Sequence, residues 1–325
     1  MPILTAESLR TVAFEIFKAA GVPVDEARLV SERLVNANLE GYDSHGIIRV
    51  LQYVKAIREG KIKPGVKVKA IEKAEVNAVG VVCAMNCNHV GRLSDYTLMA
   101  SKRGMIGISF VNTICMVAPY GGMERRIGTC PMSFAFPTDE EIPFVIDIAT
   151  SICAEGKIRV KSHEGRELPY ECIVDKDGRL TRNPNALYEG GAILPMGGEV
   201  GYKGFSLGLA VEVLGGILSG TGYSYSKKFL GGNGVFMEAI KVEAFMDLEE
   251  FKREVGELAR AVRSSKPRPG FKSIMTPGEI EYKTRKRRLR EGIHVPEKTW
   301  MEIVKVAREL GVEMEKIMES NPRMP

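Results

Sequence analysis

The hydrophobic period changes twice along this chain of 325 residues, and that switch constrains the fold most. Up to about residue 60 the apolar side chains recur at helical spacing. From about residue 66 the text turns to short β-like runs: GVVCAMN, MIGISFV, MSFAF and PFVIDIA, with an alternating VKVKAI before them. After Asp247 the helical period returns. Helical ends around a strand-rich middle read as α/β with a discontinuous helical domain, residues 1–65 plus 265–325, enclosing a sheet-containing domain, residues 66–264.

Local signals place the elements. Thr5 is an N-cap for a first helix that Gly21 closes; a second helix starts at Asp25 and stops at Gly41; a third runs from about Gly46 to Arg58. SDYTLMASKRG is a helix between strands, and Asp177-Gly178 marks a hairpin turn. KGFSLGLAVEVLGGILSG is apolar nearly all round, which predicts deep burial. VFMEAIKVEAF reads as a strand, Asp247 and Glu250 cap the next helix, SKPRPG is a linker, and Pro296 opens the last helix.

Composition narrows the class. No run approaches 18 uncharged apolar residues and the N-terminus is polar-studded, so neither a membrane span nor a signal peptide is expected. Six cysteines without a CxxC pair fit reduced thiols in a cytoplasm. Cys83, Cys87 and His89 are open to a zinc reading, but lack a fourth ligand; the favoured reading is small hydrophobes in a strand. The net charge of +5, from 46 basic and 41 acidic residues, is too mild and mixed to mark a nucleic-acid binder. Gln52 is the only glutamine, a trend of heat-adapted chains. GxGxxG and GxxxxGK[ST] are both absent, which removes the usual dinucleotide and P-loop signatures.

Five constellations carry candidate chemistry. In SHGIIRVLQY, a helix opening at Gly46 would put Ser44 near its N-cap and align His45, Arg49 and Tyr53 on one face. That sets a proton carrier beside a guanidinium fork able to grip a carboxylate, a site for a small 2-oxo or 2-hydroxy acid; a capped helix with surface side chains fits equally. NCNHVGR puts Asn88, His89 and Arg92 at a strand-to-helix turn, with a helix cap by Asn88 as the plainer reading. In VIDIATS, Asp147, Thr150 and Ser151 end an apolar strand and could meet ribose or phosphate, or cap a helix. GGEVGYKGFSLG offers glycines for close backbone approach and Lys203 for a phosphate. TPGE alone is a turn. The six basic residues of EYKTRKRRLR read as a solvated helix face, with a phosphate or nucleic-acid patch as the alternative.

Taken in order, SHGIIR, NHVGR, IGTCP, IDIATS, LPMGG with GYKG, and PGE before a GI-x-V tail resemble the malate/L-lactate dehydrogenase family of the non-Rossmann type, which also holds sulfolactate, ureidoglycolate and diketogulonate-type oxidoreductases. The resemblance implies hydride transfer with NAD or NADP, a homodimer, and a mixed, largely antiparallel sheet flanked by helices in place of a Rossmann fold. It implies His45 as proton donor to the substrate carbonyl with Ser44 in its relay, Arg49 on the substrate carboxylate with Tyr53 beside it, and His89 as a second acid/base or orienting group. It places cofactor contacts at Thr113, at Asp147, Ile148 and Ala149, at Tyr202 and Lys203, and at Gly278 and Glu279. Malate/oxaloacetate is the expected substrate pair, with sulfolactate, lactate or a cyclic imino acid as alternatives. Relatives are expected to carry an extra helical stretch at Gly80, and the chain reads short between Tyr225 and Gly231.

Overall fold

A computed structural model describes residues 2–65, 70–314 and 316–317. In chain order the elements are β1 (Ile3–Leu4), α1 (Ala6–Ala19), α2 (Val24–Leu39), α3 (Arg49–Arg58), α4 (Ala70–Asn77), β2 (Val79–Cys87), α5 (Ser94–Ser101), β3 (Met105–Val111), β4 (Met132–Phe136) and β5 (Phe144–Ile148). There follow α6 (Glu155–His163), β6 (Ile173–Val174), β7 (Leu180–Thr181), α7 (Asn185–Tyr188), β8 (Ala192–Ile193), α8 (Tyr202–Val211), a π-helical turn (Glu212–Ile217), β9 (Asn233–Lys241), α9 (Leu248–Arg263), α10 (Glu279–Glu291), β10 (Ile293–His294) and α11 (Glu297–Glu309).

Two compact units result: residues 1–68, 141–143 and 260–325 form one, and residues 69–140 and 144–259 the other. The helical unit is discontinuous because the two ends of the chain pair. Ile3 lies opposite His294 and Leu4 opposite Ile293 in an antiparallel β1–β10 ladder. Around it, Leu9, Ile16 and Phe17 of α1, Leu34 and Val35 of α2, Val50 and Val54 of α3, and Trp300 and Ile303 of α11 make one apolar core. Thr5 caps α1 as its spacing predicts, its hydroxyl accepting the Ser8 amide at 3.0 Å.

The second unit is built on a five-stranded antiparallel sheet, order β2-β9-β3-β4-β5, with a small β7-β6-β8 sheet beside it. This is the mixed, antiparallel architecture that the resemblance implies. The Asp175–Arg179 hairpin forms as its Asp-Gly signal predicts, with Gly178 at φ 83°. α5 packs on the sheet through Ala100, which joins Ala74, Met105 and Ala239 in a small cluster.

Four expectations change. The alternating VKVKAI falls mostly on residues 66–69, outside the described residues, and its last two positions belong to α4. β2 crosses Gly80–Val81 without a break, paired to β9 on both sides, and α4 stands directly before it, so a helix does precede this strand. The strand expected to run to Phe245 ends at Lys241, where a 3-10 turn over Val242–Ala244 takes over. The apolar α8 and the π turn are not buried all round. Gly204, Gly208, Val211, Gly215 and Gly216 face inward, while Leu207, Leu209, Val213, Ile217 and Leu218 are 40–58% exposed. The cause is the glycines: a Cβ on Gly215 would stand 3.0 Å from the Asn112 amide nitrogen. A strip of mostly glycines, with Val211, fits on the inner side, while these five apolar side chains are turned outward.

Candidate active site

The helical unit supplies the His45 group. α3 does not begin at Gly46: Asp43–His45 form a 3-10 turn, and regular helix starts at Arg49. Ser44 and His45 therefore precede the helix, and the one-face alignment holds only for Arg49 and Tyr53. Contact is made another way. The Arg49 Nε–H donates to the Ser44 carbonyl at 2.6 Å and its Nη1 to Gln52 Oε1 at 2.6 Å. The guanidinium is thus held against the backbone of the turn that carries His45. Ser44, His45 and Arg49 are half-buried. Tyr53 lies against the helical core, its ring 6.3 Å from that of Phe17.

Asn38, which sequence reasoning passed over, fixes this turn. It is 3% exposed; its Oδ1 accepts the Ile47 amide at 2.7 Å and its Nδ2 donates to Asp43 Oδ1 at 2.7 Å. A Cβ on Gly46 would come within 2.2 Å of Asn38 Oδ1, so glycine is required there. Arg288 of α10 grips Asp43 from the other side with two bonds, at 2.6 and 2.9 Å. The only signal for Asn38 in the sequence is a short polar side chain one turn from the end of a helix.

At the start of α10, Gly278 takes φ 92°. The Glu279 carboxylate is buried and already bonded, accepting from the Thr276 amide at 3.2 Å and from Lys283 Nζ at 2.6 Å. Against its burial, those donors hold it below the usual carboxylate range. The basic run is neutralised in place: Lys283 pairs with Glu279, Arg285 with Glu40, Lys286 with Glu141, Arg288 with Asp43, and Arg287 and Arg290 with Glu291.

The sheet unit carries the other candidate residues. β2 bulges between Ala84 and Cys87, with Asn86 at φ 52°, which re-aims the strand end that leads to His89. Asn88 caps no helix; its Oδ1 accepts the His89 amide at 2.8 Å. The N-terminus of α5 is bonded instead by Asp147, whose Oδ2 accepts the Ser94 amide at 2.7 Å. Burial lifts that carboxyl to about 6, against the pull of Ser94 and Arg92. Arg92 is not a ligand-binding cation, because it is 4% exposed and paired with Asp95 at 2.5 Å. Ile148 is exposed and Ala149 half-buried.

Thr113 follows β3 and bonds Thr129 through both its hydroxyl and the Thr129 amide, at 3.2 and 2.9 Å. Tyr202 and Lys203 open α8 and are exposed; Tyr202 stands edge-on to Tyr120 at 5.9 Å. Glu212, in the π turn, is 3% exposed and accepts five donors; the sequence shows it only as one acid in an apolar helix. Among the described residues no cluster of His, Cys, Asp and Glu has the geometry of a metal site, so the Cys83–Cys87–His89 zinc reading has no support in the geometry. No helix among them is long and apolar enough to cross a membrane.

Comparison with known proteins agrees. The sequence model of the malate/L-lactate dehydrogenase family matches residues 4–70 and 66–304. The malate dehydrogenase of Pyrococcus horikoshii is 36% identical over 90% of this chain and 91% of its own. Its structure superposes with a TM-score of 0.85 over 96% of each chain. The L-sulfolactate dehydrogenase of Methanocaldococcus jannaschii is 34% identical over 98% of this chain and 100% of its own, and the corresponding structure gives a TM-score of 0.86. The delta1-piperideine-2-carboxylate reductase of Pseudomonas syringae covers 94% of this chain and 100% of its own at 26% identity, with a TM-score of 0.80. Enzymes of this kind use nicotinamide cofactors and act on small hydroxy or oxo acids. The matched family model, the relatives above 30% identity over nearly the whole chain and the ordered motifs leave one assignment: the chain belongs to the malate/L-lactate dehydrogenase family of oxidoreductases.

Proposed function

We propose that the protein is a malate dehydrogenase, interconverting malate and oxaloacetate with NAD or NADP. The observation that carries the reading is the Arg49–Ser44 bond, because it ties a carboxylate-gripping fork to the turn that holds a titratable imidazole. Arg49 fixes the substrate carboxylate and so sets the reach to C2. His45 gives a proton to the carbonyl oxygen as negative charge grows there, and takes it back in the oxidation. Ser44 steadies His45, Tyr53 closes the apolar side of this group, and His89 orients the substrate or acts as a second acid/base.

The residues present suit a nicotinamide dinucleotide. Lys203, exposed in the first turn of α8, and the amides of that helix end offer positive potential to phosphates. Gly197, at φ 119°, allows backbone to lie close by. Ile148 and Ile114 present apolar surface, and Thr113, Ala149, Tyr202 and Gly278 complete the contacts. The side chains of Asp147 and Glu279 are taken by backbone amides, so their part is to hold the loops and their own main chain. The nicotinamide, when bound, supplies or accepts a hydride.

A homodimer is the assembly we propose. The outward row Leu209, Val213, Ile217 and Leu218 is apolar surface of the kind a second copy covers.

His45→Ala tests the mechanism. Loss of a positioned acid/base should lower oxaloacetate reduction by about two to four orders of magnitude with folding intact. Undiminished turnover would remove His45 from the role.

A further inference from the structure

Among the described buried groups that this mechanism leaves unused is Glu212, which accepts five donors. It sits in the π turn after α8, a helical defect that recurs at functional sites. Its Oε1 accepts from the Gly128 amide at 2.9 Å, the Cys130 thiol at 3.3 Å and the Ser224 hydroxyl at 2.5 Å. Its Oε2 accepts from the Ser224 amide at 2.8 Å and Asn112 Nδ2 at 3.4 Å. These donors come from three loop segments, and all three surround Thr113.

Asn112 directly precedes Thr113 and is itself held to Gly234 and Gly222, at 2.7 and 2.9 Å. Gly128 and Cys130 flank Thr129, the hydrogen-bond partner of the Thr113 side chain. The Ser224 hydroxyl also lies within bonding reach of the Thr113 carbonyl, and its single hydrogen serves one acceptor at a time. A Cβ on Gly128 would stand 2.5 Å from Thr113 Oγ1, so the packing here leaves no slack. Burying a carboxylate is costly, and an apolar residue would fill the same space at less expense in free energy. What the carboxylate adds is one acceptor centre that three loops share.

We infer that Glu212 is a positioning residue for the cofactor: it holds Asn112–Thr113, Gly128–Cys130 and Ser224 in the one arrangement that presents Thr113 to the nicotinamide dinucleotide. The inference rests on the reading of Thr113 as a cofactor contact. Glu212 itself touches neither cofactor nor substrate.

Three variants of the full chain test it, by equilibrium binding of NADH or NADPH followed through cofactor fluorescence, where the Kd should move with the KM, and by steady-state kinetics varying cofactor and oxaloacetate separately. In Glu212→Gln one of the two acceptor oxygens becomes an NH2 group, which faces either the Gly128 amide or the Ser224 amide as donor against donor, and that loop loosens. The cofactor KM should rise about tenfold, with the oxaloacetate KM moving less than about twofold. A merely structural role would lower the unfolding midpoint and the active fraction, and leave the cofactor KM of the folded fraction where it was. Thr113→Val should raise the cofactor KM as well. If Thr113→Val leaves it unchanged, the cofactor reading of Thr113 fails and takes the inference with it. If Thr113→Val raises it and Glu212→Gln does not, the inference alone is overturned. Should Glu212→Gln fail to fold, Ser224→Ala decides: the loss of its bridging hydroxyl should raise the cofactor KM about threefold, and an unchanged value overturns the inference.

Discussion

Asp147 shows how one side chain can serve two ends. Asp147 is half-buried at the end of β5, and the burial of its carboxyl lifts it from an ordinary 3.8 to about 6. The folded chain therefore holds this proton more tightly than the unfolded chain. As pH climbs from the lower value to the higher, folding loses up to about 3 kcal/mol, and the loss persists above that window. The bond to the Ser94 amide needs only an acceptor oxygen, which an amide side chain also has. Asp147→Asn should thus match the parent near pH 4 and exceed its stability above about pH 6, by up to that amount. Urea unfolding at the two pH values checks it; a variant less stable than the parent at neutral pH would contradict the account.

At the scale of elements, the turn bearing His45 is held by neighbours, since a 3-10 turn has little stability of its own. Asn38 bonds both flanks of it, and Gly46 leaves room for that side chain. Gly46→Ala must displace Asn38 and leave the Ile47 amide and Asp43 without their partner. The expected cost is about 2 kcal/mol of stability, with a fall in kcat/KM, read from urea melts and oxaloacetate turnover. An unaffected variant would mean that the turn is held by something else. The same element shows what the sequence could and could not reveal. The strands, the hairpin at Gly178, the caps at Thr5 and Asp247 and the antiparallel class were legible, because local period and turn chemistry dictate them. The start of α3 was not, because Asn38, eight residues before Gly46, decides it. Likewise the run EYKTRKRRLR reads as a charge patch until its five acidic partners, Glu40, Asp43, Glu141 and, in α10 itself, Glu279 and Glu291, are in view. Glu212 was illegible for a similar reason: its donors lie between 12 and 100 residues away.

At the scale of the whole molecule, pairing of the chain ends closes a helical unit, and an antiparallel sheet organises the other. The helix predicted to be buried all round instead carries its large apolar side chains outward, at 40–58% exposure. The homodimer proposed above would cover them. Ile217→Lys together with Leu218→Asp should therefore shift the protein from dimer to monomer in sedimentation velocity. A variant that sediments as the parent does would place the interface elsewhere. Substrate choice is the molecule's other global property. Cofactor oxidation by the purified protein measures hydride transfer to a small 2-oxo acid directly. NADH and NADPH would each be offered with oxaloacetate, sulfopyruvate, pyruvate and a cyclic imino acid. At least one cofactor should be oxidised, fastest with oxaloacetate. Turnover of the imino acid alone, or of none of the four, would contradict hydride transfer to a 2-oxo acid.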